Sequence, residues 1–162
     1  NESGEIWVRG EQVSGEYKGM EITLTEEGWF PTNDGGWLDG EGYLFVTGRI
    51  DDVIVKGGQN ISPGEIEEVL LRHPSVADVA AIGVPDQQWG EKIAAAVVLH
   101  TGTEVDEKEL KDSVKNVLRS NRTPDEIVFL NELPYNETGK LLRRVLKENL
   151  VDLGDGSTVS TE

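Results

Sequence analysis

Beyond Ile50 the sequence alternates strongly apolar segments with amphipathic ones, and this alternation constrains the fold more than any other feature. Two apolar runs, Val76–Val84 and Ile93–Leu99, predict strands. The segments around them repeat apolar residues three and four positions apart, which is typical of helices with one buried face. Together these segments predict a small α+β domain of roughly 100 residues, a size that can support its own core.

Three helices are predicted from their caps and apolar faces. In the first, Ser62 is the N-cap, Pro63 takes the first helical position, Glu65 completes a capping box, and Pro74 stops the helix. Asp106 caps the second helix. The predicted apolar faces are Ile66, Val69 and Leu70 in the first helix, Leu110, Val114, Val117 and Leu118 in the second, and Leu141, Leu142, Val145 and Leu146 in the third, whose other face is Lys140, Arg143, Arg144 and Lys147.

Two shorter strands complete the predicted fold. Asp52–Lys56 is interpreted as a strand that runs into a turn at Gly57 and Gly58, and Ile127–Leu130 as a further strand. The predicted fold class is therefore α+β, with a short β-hairpin and a roughly three-stranded sheet packed with helices.

The first 48 residues differ in composition from the rest of the chain, because glycines and aromatic side chains are frequent and long apolar runs are few. Ile6–Val8 and Tyr43–Val46 are predicted strands, whereas Thr32–Gly36 and Asp39–Gly42 are predicted turns. We interpret this stretch as the β-rich edge of a larger lobe that lies outside the chain.

Three regions are expected on this basis. Residues 1–50 are the C-terminal edge of a large N-terminal domain, residues 51–150 are a small C-terminal domain, and residues 151–162 are a flexible acidic tail. The chain opens with Asn1 rather than Met, so we expect it to be part of a longer protein.

Charge and composition exclude several classes of function. Thirty-one acidic residues against 15 basic ones give a net charge of −16, which disfavours binding to nucleic acid or to anionic lipid. There is no cysteine, so disulfide scaffolds, thiolate-bound zinc and thiol nucleophiles are excluded. The two histidines, His73 and His100, lie in unrelated contexts without a recognisable partner motif. No apolar run approaches the roughly 20 residues of a membrane span.

Two acidic segments are candidate nucleotide or hinge elements. Asp34 lies in a predicted turn, where it is interpreted either as an Asx-turn residue or as a carboxylate that accepts both hydroxyls of a ribose. The segment 48–52 (GRIDD) is charged, which is typical of a solvated β-turn. It also stands where the composition and the apolar pattern of the chain change, which is where an interdomain hinge would lie.

Two glycine-containing segments are the other candidates. The paired glycines at Gly57 and Gly58 either close a hairpin or allow a ligand to approach the backbone closely. Lys140 is interpreted as standing at the start of a helix, where the positive end of the dipole disfavours a cation. It is either a surface lysine or a mobile cation that Gly139 positions to meet an anion.

These segments, in this order, resemble the C-terminal part of the adenylate-forming enzymes, the superfamily of acyl-CoA synthetases, peptide-synthetase adenylation domains and luciferases. Residues 28–34 (GWFPTND) are similar to its GWF-x-T-G-D motif, and residues 42–52 (GYLFVTGRIDD) to its G-Y-x-x-x-x-G-R-x-D-D segment. Residues 57–67 (GGQNISPGEIE) resemble its G-G-x-N-I-x-P-x-E-I-E block, and residues 133–140 (LPYNETGK) its final L-P-x-x-x-x-G-K motif. The resemblance covers nearly the whole chain.

The resemblance implies a two-step ligase. A carboxylate first attacks the α-phosphorus of ATP to give an acyl adenylate and pyrophosphate, and a thiol, usually that of CoA, then displaces AMP. It implies that Lys140 is the adenylation lysine. By the same resemblance, Asp34 binds the ribose hydroxyls, Arg49 contacts the nucleotide, and Asp51 is the hinge.

The paired glycines and two departures from the motifs complete the comparison. The resemblance implies that Gly57, Gly58 and Gln59 form the loop that faces CoA once residues 51–150, as a mobile domain, have rotated. Asn33 replaces the usual glycine of its motif and is expected to keep the left-handed backbone. Val55 stands where many relatives carry a second lysine, so no role is assigned there.

Cofactors and partners are implied in the same way. We expect ATP and CoA as cosubstrates, with Mg²⁺ accompanying ATP on ligands outside this segment and no metal site within it. The missing N-terminal domain and a carboxylic acid are the expected partners, without nucleic acid or a membrane span, and the expected location is cytoplasmic. Two alternatives stay open: an adenylation domain that loads a carrier protein, and a non-catalytic interaction module derived from this scaffold.

Overall fold

The computed structural model describes residues 3–13, 16–17, 20–21 and 24–154. The chain divides between Asp51 and Asp52 into two compact units. Of the predicted acidic tail, residues 151–154 belong to the last helix, and residues 155–162 lie outside the described residues.

In the described residues of the first unit the regular elements are strands, followed by a 3-10 turn at Ile50–Asp52 that crosses the boundary. The strands are β1 (Gly4–Val8), β2 (Glu16–Tyr17), β3 (Met20–Glu21), β4 (Phe30–Leu38) and β5 (Leu44–Arg49). Strands β1, β4 and β5 form an antiparallel sheet in that order, and β2 pairs with β3. The two predicted strands at Ile6–Val8 and Tyr43–Val46 are confirmed as β1 and β5, with bounds that differ by up to three residues.

The two predicted turns of this unit have different outcomes. Asp39–Gly42 is a turn, in which the Asp39 carboxylate accepts hydrogen bonds from the backbone N–H groups of Glu41 and Tyr43, both at 2.9 Å. Thr32–Gly36 is not a turn, because these residues lie inside β4. Glycine is required there for another reason: a Cβ atom on Gly36 would lie 2.6 Å from the Phe45 carbonyl oxygen and 2.8 Å from Ile6 Cδ1. Close approach of the flanking strands therefore explains the glycine.

Burial in the first unit is slight. Among its described residues only Gly36 is buried, and every residue of β5 is exposed. Trp37 and Phe45 stack at 4.2 Å between ring centroids. An open, mainly apolar groove of about 700 Å³ lies against the same sheet, lined by Gly4, Glu5, Ile6, Trp7, Trp29, Gly36, Trp37, Leu38 and Leu44.

The second unit is an α+β domain, which confirms the predicted fold class. Its strands are β6 (Ile54–Lys56), β7 (Gln59–Ile61), β8 (Val76–Asp86), β9 (Gly90–Leu99) and β10 (Glu126–Phe129), and its helices are α1 (Pro63–Leu71), α2 (Glu107–Val117) and α3 (Arg143–Gly154). Strand β9 pairs antiparallel with β8 and parallel with β10. The β6–β7 hairpin joins the same sheet where Lys56 pairs with Gly90, so the predicted three strands and hairpin make one five-stranded sheet.

The sheet carries a hydrophobic core on each face. The core on one face contains α1 and α2, with Ile66, Leu70, Leu110 and Val114. The other core contains α3, with Leu146 and Leu150. Strand β9 contributes alternate residues to each core: Ile93, Ala95 and Val97 to the first and Ala94 and Ala96 to the second.

The first two helices start as predicted, with one difference each. Ser62 is the N-cap of α1, but its side chain makes no capping hydrogen bond, and Glu65 pairs instead with Arg122 Nε at 2.6 Å. The predicted capping box is therefore wrong. Asp106 caps α2 by accepting a 2.7 Å hydrogen bond from the Glu109 N–H. Val117 is 59% exposed, so it does not belong to the apolar face of that helix.

The third helix starts later than predicted. It begins at Arg143, because the chain before it forms a turn closed by a bridge between Tyr135 and Leu141. Leu141 and Leu142 therefore precede the helix, and Lys140 does not stand at its start. No helix in the described part of the chain is both long and apolar enough to cross a membrane.

The contrast in burial leads to a prediction about amide exchange in the isolated chain. We expect slow exchange in β8 and β9, which lie between two cores, and faster exchange in β1 and β5, whose side chains are largely exposed. Hydrogen exchange followed by NMR or mass spectrometry measures this directly. Uniformly slow exchange from Ile6 onward would show that the first unit is as stable as the second, contrary to this expectation.

Candidate functional site

The candidate nucleotide residues of the first unit, Asp34 and Arg49, lie side by side. They are cross-strand partners on β4 and β5, and Arg49 NH1 lies 3.4 Å from Asp34 Oδ1. Arg49 NH1 also donates a 2.9 Å hydrogen bond to the Thr32 carbonyl oxygen. Both side chains are partly exposed. A carboxylate beside a guanidinium offers acceptors for hydroxyl groups and donors for a phosphate, so the pair suits a nucleotide.

The candidate hinge residue, Asp51, is tied to the same strand. It lies in the Ile50–Asp52 turn, and its Oδ2 accepts a hydrogen bond from Asn33 Nδ2. Asn33 has a φ of 60°, which confirms the expected left-handed backbone at this departure from the family motif. The structure therefore brings together Asn33, Asp34, Arg49 and Asp51, which the sequence holds in two separate motifs.

The paired glycines form the tight turn of the β6–β7 hairpin in the second unit. Gly57 and Gly58 have φ values of 58° and 76°, which favour glycine. The Gly57 N–H donates a 2.8 Å hydrogen bond to the Trp89 carbonyl oxygen, and a Cβ atom on Gly57 would lie 3.1 Å from the Trp89 ring. Gln59 accepts a hydrogen bond from Asn121. Both glycines are exposed, and a Cβ atom on Gly58 would meet no atom within 4 Å, so the backbone at Gly58 is open to close approach.

Strand β6, which leads into this turn, is held by polar side chains. Lys56 Nζ lies 2.7 Å from both carboxylate oxygens of Asp125. Glu91 accepts a 2.8 Å hydrogen bond from the Val55 N–H and pairs with Lys147 at 2.8 Å. Burial alone would raise the pKa of Glu91, but the bonds from Lys147 and Val55 outweigh it, and the pKa is lowered. The carboxylate therefore stays charged at neutral pH.

The Lys140 turn, residues 134–142, is ordered by one amide side chain. Asn136 Oδ1 accepts hydrogen bonds from Thr138 N at 3.0 Å, Thr138 Oγ1 at 2.8 Å and Lys140 N at 2.8 Å. Asn136 N in turn donates to the Lys140 carbonyl oxygen at 3.0 Å, and Gly139 has a φ of 77°. No role for Asn136 was predicted from the sequence, although asparagine is a common turn residue because its side chain bonds the backbone two residues on.

Lys140 itself is exposed, and among the described residues its ammonium makes no hydrogen bond or ion pair. The explanation by an unfavourable helix dipole is wrong, because the helix begins three residues later. An unpaired ammonium on an ordered turn is nonetheless suited to meet an anion.

Two side chains hold the ends of the Lys140 turn. At its beginning, the Tyr135 hydroxyl donates a 2.8 Å hydrogen bond to Asp78 Oδ2, and burial together with this carboxylate raises the pKa of Tyr135. After it, Arg143 pairs with Glu67 at 2.7 Å and with Asp52 at 3.2 Å. Burial alone would lower the pKa of Arg143, but the two carboxylates outweigh it and raise the pKa.

The role of Arg143 was not predicted: its position in the sequence places it on the polar face of a helix with Arg144 and Lys147. No local pattern distinguishes it, because its partner Glu67 lies 76 residues away. In the described residues no group of three or more histidine, aspartate or glutamate side chains is arranged to hold a metal ion.

Known proteins resemble this chain over most of its length. Residues 65–140 match the family model of the AMP-binding enzyme C-terminal domain. The chain is 43% identical to the sulfoacetate–CoA ligase of Cupriavidus necator over 86% of its length, and 44% identical to a 2-succinylbenzoate–CoA ligase of Bacillus cereus over 90%. It spans only 28% and 30% of the length of these two relatives.

A solved structure shows the same fold. The o-succinylbenzoate CoA synthetase of Bacillus subtilis, in complex with its acyl-adenylate intermediate, superposes with a TM-score of 0.84 at 42% identity. The match covers 90% of this chain and 30% of that protein. Residues 65–140 therefore carry the C-terminal domain of the AMP-binding enzymes, and the chain as a whole is similar to a segment of the CoA ligases that makes up about 30% of their length.

Proposed function

We propose that this chain is the C-terminal part of an ATP-dependent acid–CoA ligase. The full enzyme converts a carboxylic acid, ATP and CoA into acyl-CoA, AMP and pyrophosphate through an acyl adenylate. The observation that carries the proposal is Lys140, an exposed ammonium without an anionic partner in the described residues, on a turn that Asn136 orders. The CoA-ligase relatives, matched over about 90% of the chain, support the same reaction class.

In the first half-reaction, a carboxylate oxygen attacks the α-phosphorus of ATP, and the bond to the bridging oxygen breaks to release pyrophosphate. Displacement at phosphorus depends mainly on positioning and on stabilising charge. The Lys140 ammonium bridges the attacking carboxylate and an α-phosphate oxygen. Asp34 accepts the ribose hydroxyls, and Arg49, 3.4 Å from it, contacts the nucleotide.

In the second half-reaction, the CoA sulfur attacks the acyl carbonyl carbon, the thiol proton passes to water, and the bond from that carbon to the phosphate oxygen breaks to release AMP. The turn at Gly57, Gly58 and Gln59 faces CoA in this step. Because the two glycines carry no Cβ atom, CoA can approach the backbone of the turn closely. Lys140 must leave before CoA enters, so residues 51–150 act as a mobile domain that turns about Asp51.

The remaining partners follow from the same proposal. Residues 1–50 form the C-terminal edge of the large N-terminal domain, which supplies the acid-binding pocket and the other ATP contacts. Mg²⁺ accompanies ATP on ligands outside this segment, and a cytoplasmic location stays a prediction.

Two activity measurements on the protein that carries this chain test the proposal. Acid-dependent exchange of labelled pyrophosphate into ATP reports adenylation, and acyl-CoA formation reports thioester synthesis. A CoA ligase gives both activities. A non-catalytic module gives neither, and an adenylation domain that loads a carrier protein gives exchange without acyl-CoA.

Replacing Asp34 with alanine is expected to weaken ATP binding. Loss of a charged acceptor for two hydroxyls costs about 1.5–3 kcal/mol, so KM for ATP should rise about 10- to 160-fold. Pyrophosphate exchange measured over a range of ATP concentrations gives this value. Glu41→Ala is a suitable control, because it removes an exposed carboxylate from the turn between β4 and β5. Equal KM changes in both variants would contradict a ribose contact at Asp34.

A further inference from the structure

The outer edge of β8 is covered by side chains instead of by another strand. Among the described strands β8 pairs only with β9, so its other edge presents backbone groups that need partners. At Ala81 the N–H donates to Glu67 Oε1 at 2.8 Å, and the carbonyl oxygen accepts from Arg143 NH1 at 2.8 Å. At Val79 the N–H donates to Asp78 Oδ1 at 2.9 Å. Charged side chains therefore replace the missing strand.

Arg143 is the centre of this arrangement. Its guanidinium contacts Glu67 through both terminal nitrogens, at 2.7 and 3.1 Å, and Asp52 through Nε at 3.2 Å. Glu67 belongs to α1 and Arg143 to α3, and these helices pack on opposite faces of the sheet. Arg143 thus links the two layers around the edge of β8, which the planar fork of a guanidinium can do and a single ammonium cannot.

The same contacts fix the Lys140 turn at both ends. Tyr135, at its beginning, bonds to Asp78 on β8, and Arg143 follows its end by one residue. Lys140 lies between these anchors with its backbone held by Asn136. Arg143 also pairs with Asp52, which is the residue that follows Asp51.

We propose that Arg143 is a positioning residue for adenylation: by binding Glu67, Asp52 and the Ala81 carbonyl it fixes the base of the Lys140 turn on the edge of β8, and so fixes the ammonium. The inference rests on the proposed function. Arg143 touches neither substrate nor nucleotide and acts through Lys140. Placement matters because a displacement of about 1 Å in a reacting group can cost a factor of about 100 in rate.

Arg143→Gln in the protein that carries this chain tests the inference, with Arg144→Gln as the matched control. Arg144 is the next residue, its side chain is 85% exposed, and among the residues that the structure describes it pairs only with Glu148, across one helical turn. In pyrophosphate exchange we expect kcat to fall about 10- to 100-fold for Arg143→Gln, with little change in KM for ATP. Arg144→Gln should match the wild type.

A double-mutant cycle with Lys140→Ala separates positioning from general stability. If Arg143 acts through Lys140, Arg143→Gln has no further effect once Lys140 is alanine.

Arg143→Lys keeps the positive charge but cannot bridge all three partners, so a folded Arg143→Lys enzyme with unchanged melting temperature should also lose exchange activity.

Three results would overturn the inference. Losses from Arg143→Gln and Lys140→Ala that multiply would show an independent, structural role. Full exchange activity in a folded Arg143→Lys enzyme would show that the bridging contacts are unnecessary. Full activity of Lys140→Ala would overturn the proposed function as well, so the failure of the function is distinguishable from the failure of the positioning role alone.

Discussion

Lys140→Ala in the full enzyme is expected to reduce adenylation by a factor of about 10²–10³ while sparing thioester formation from a supplied acyl adenylate. Loss of a single transition-state contact to phosphate costs about 3–4 kcal/mol, which sets this magnitude. The selectivity follows from the chemistry, because the second half-reaction breaks a bond to carbon and makes no new demand on the α-phosphate. Pyrophosphate exchange and the conversion of a synthetic acyl adenylate with CoA measure the two steps separately.

Lys115→Ala is a matched control for this experiment. It removes an exposed lysine from the last turn of α2, remote in sequence from every candidate residue. We expect wild-type rates in both half-reactions. Loss of Lys140 should leave the melting temperature unchanged, because its ammonium makes no ion pair among the described residues. An equal decline of both half-reactions in Lys140→Ala would indicate misfolding and contradict the assignment.

Much of the second unit could be predicted because its local signals agree with its packing. The apolar runs of β8 and β9 are buried between two helical layers, and alternate residues of β9 serve the two cores. Helix α1 ends at Leu71, close to Pro74, and α2 begins after the Asp106 cap. Where local preference and tertiary burial point the same way, sequence patterns locate elements well.

The errors arose where tertiary contacts override a local preference. Gly35 and Gly36 have the composition of a turn, yet both lie inside β4, and at Gly36 the neighbouring strands approach too closely for a Cβ atom. Glu65 is well placed for a capping box but binds Arg122 instead. Arg143 and Arg144 are equivalent in any helical pattern, and only the fold of β8 against α1 makes one of them an anchor.

The candidate site residues were predicted because four sequence motifs resemble those of the adenylate-forming enzymes. The structure adds the contacts that each of these residues makes. Asp34 and Arg49 are adjacent, Asp51 is bound by Asn33, and Lys140 is unpaired among the described residues. None of these relations follows from spacing along the chain, since each depends on strand register or on a turn. The catalytic roles of these residues stay predictions, which the half-reactions decide.

Asp51→Pro is expected to separate the two half-reactions in the opposite sense from Lys140→Ala. Proline fixes φ near −65° and removes the N–H, so a backbone position that must change between two domain orientations is held in one of them. The structure supports Asp51 as this position, because the chain divides into its two compact units directly after it. If the orientation that proline retains is the adenylating one, we expect Asp51→Pro to keep pyrophosphate exchange while acyl-CoA formation collapses.

Asp51→Ala supplies the control, because it removes the carboxylate and the hydrogen bond from Asn33 but leaves the backbone free to rotate. An exposed hydrogen bond of this kind contributes about 1 kcal/mol, so we expect a small change in melting temperature and nearly normal rates in both half-reactions. A hinge defect appears as selective loss of thioester formation in the proline variant at an almost unchanged melting temperature. If residues 48–52 were only a surface turn, proline would lower the melting temperature and both rates in parallel, and that parallel decline would refute the hinge.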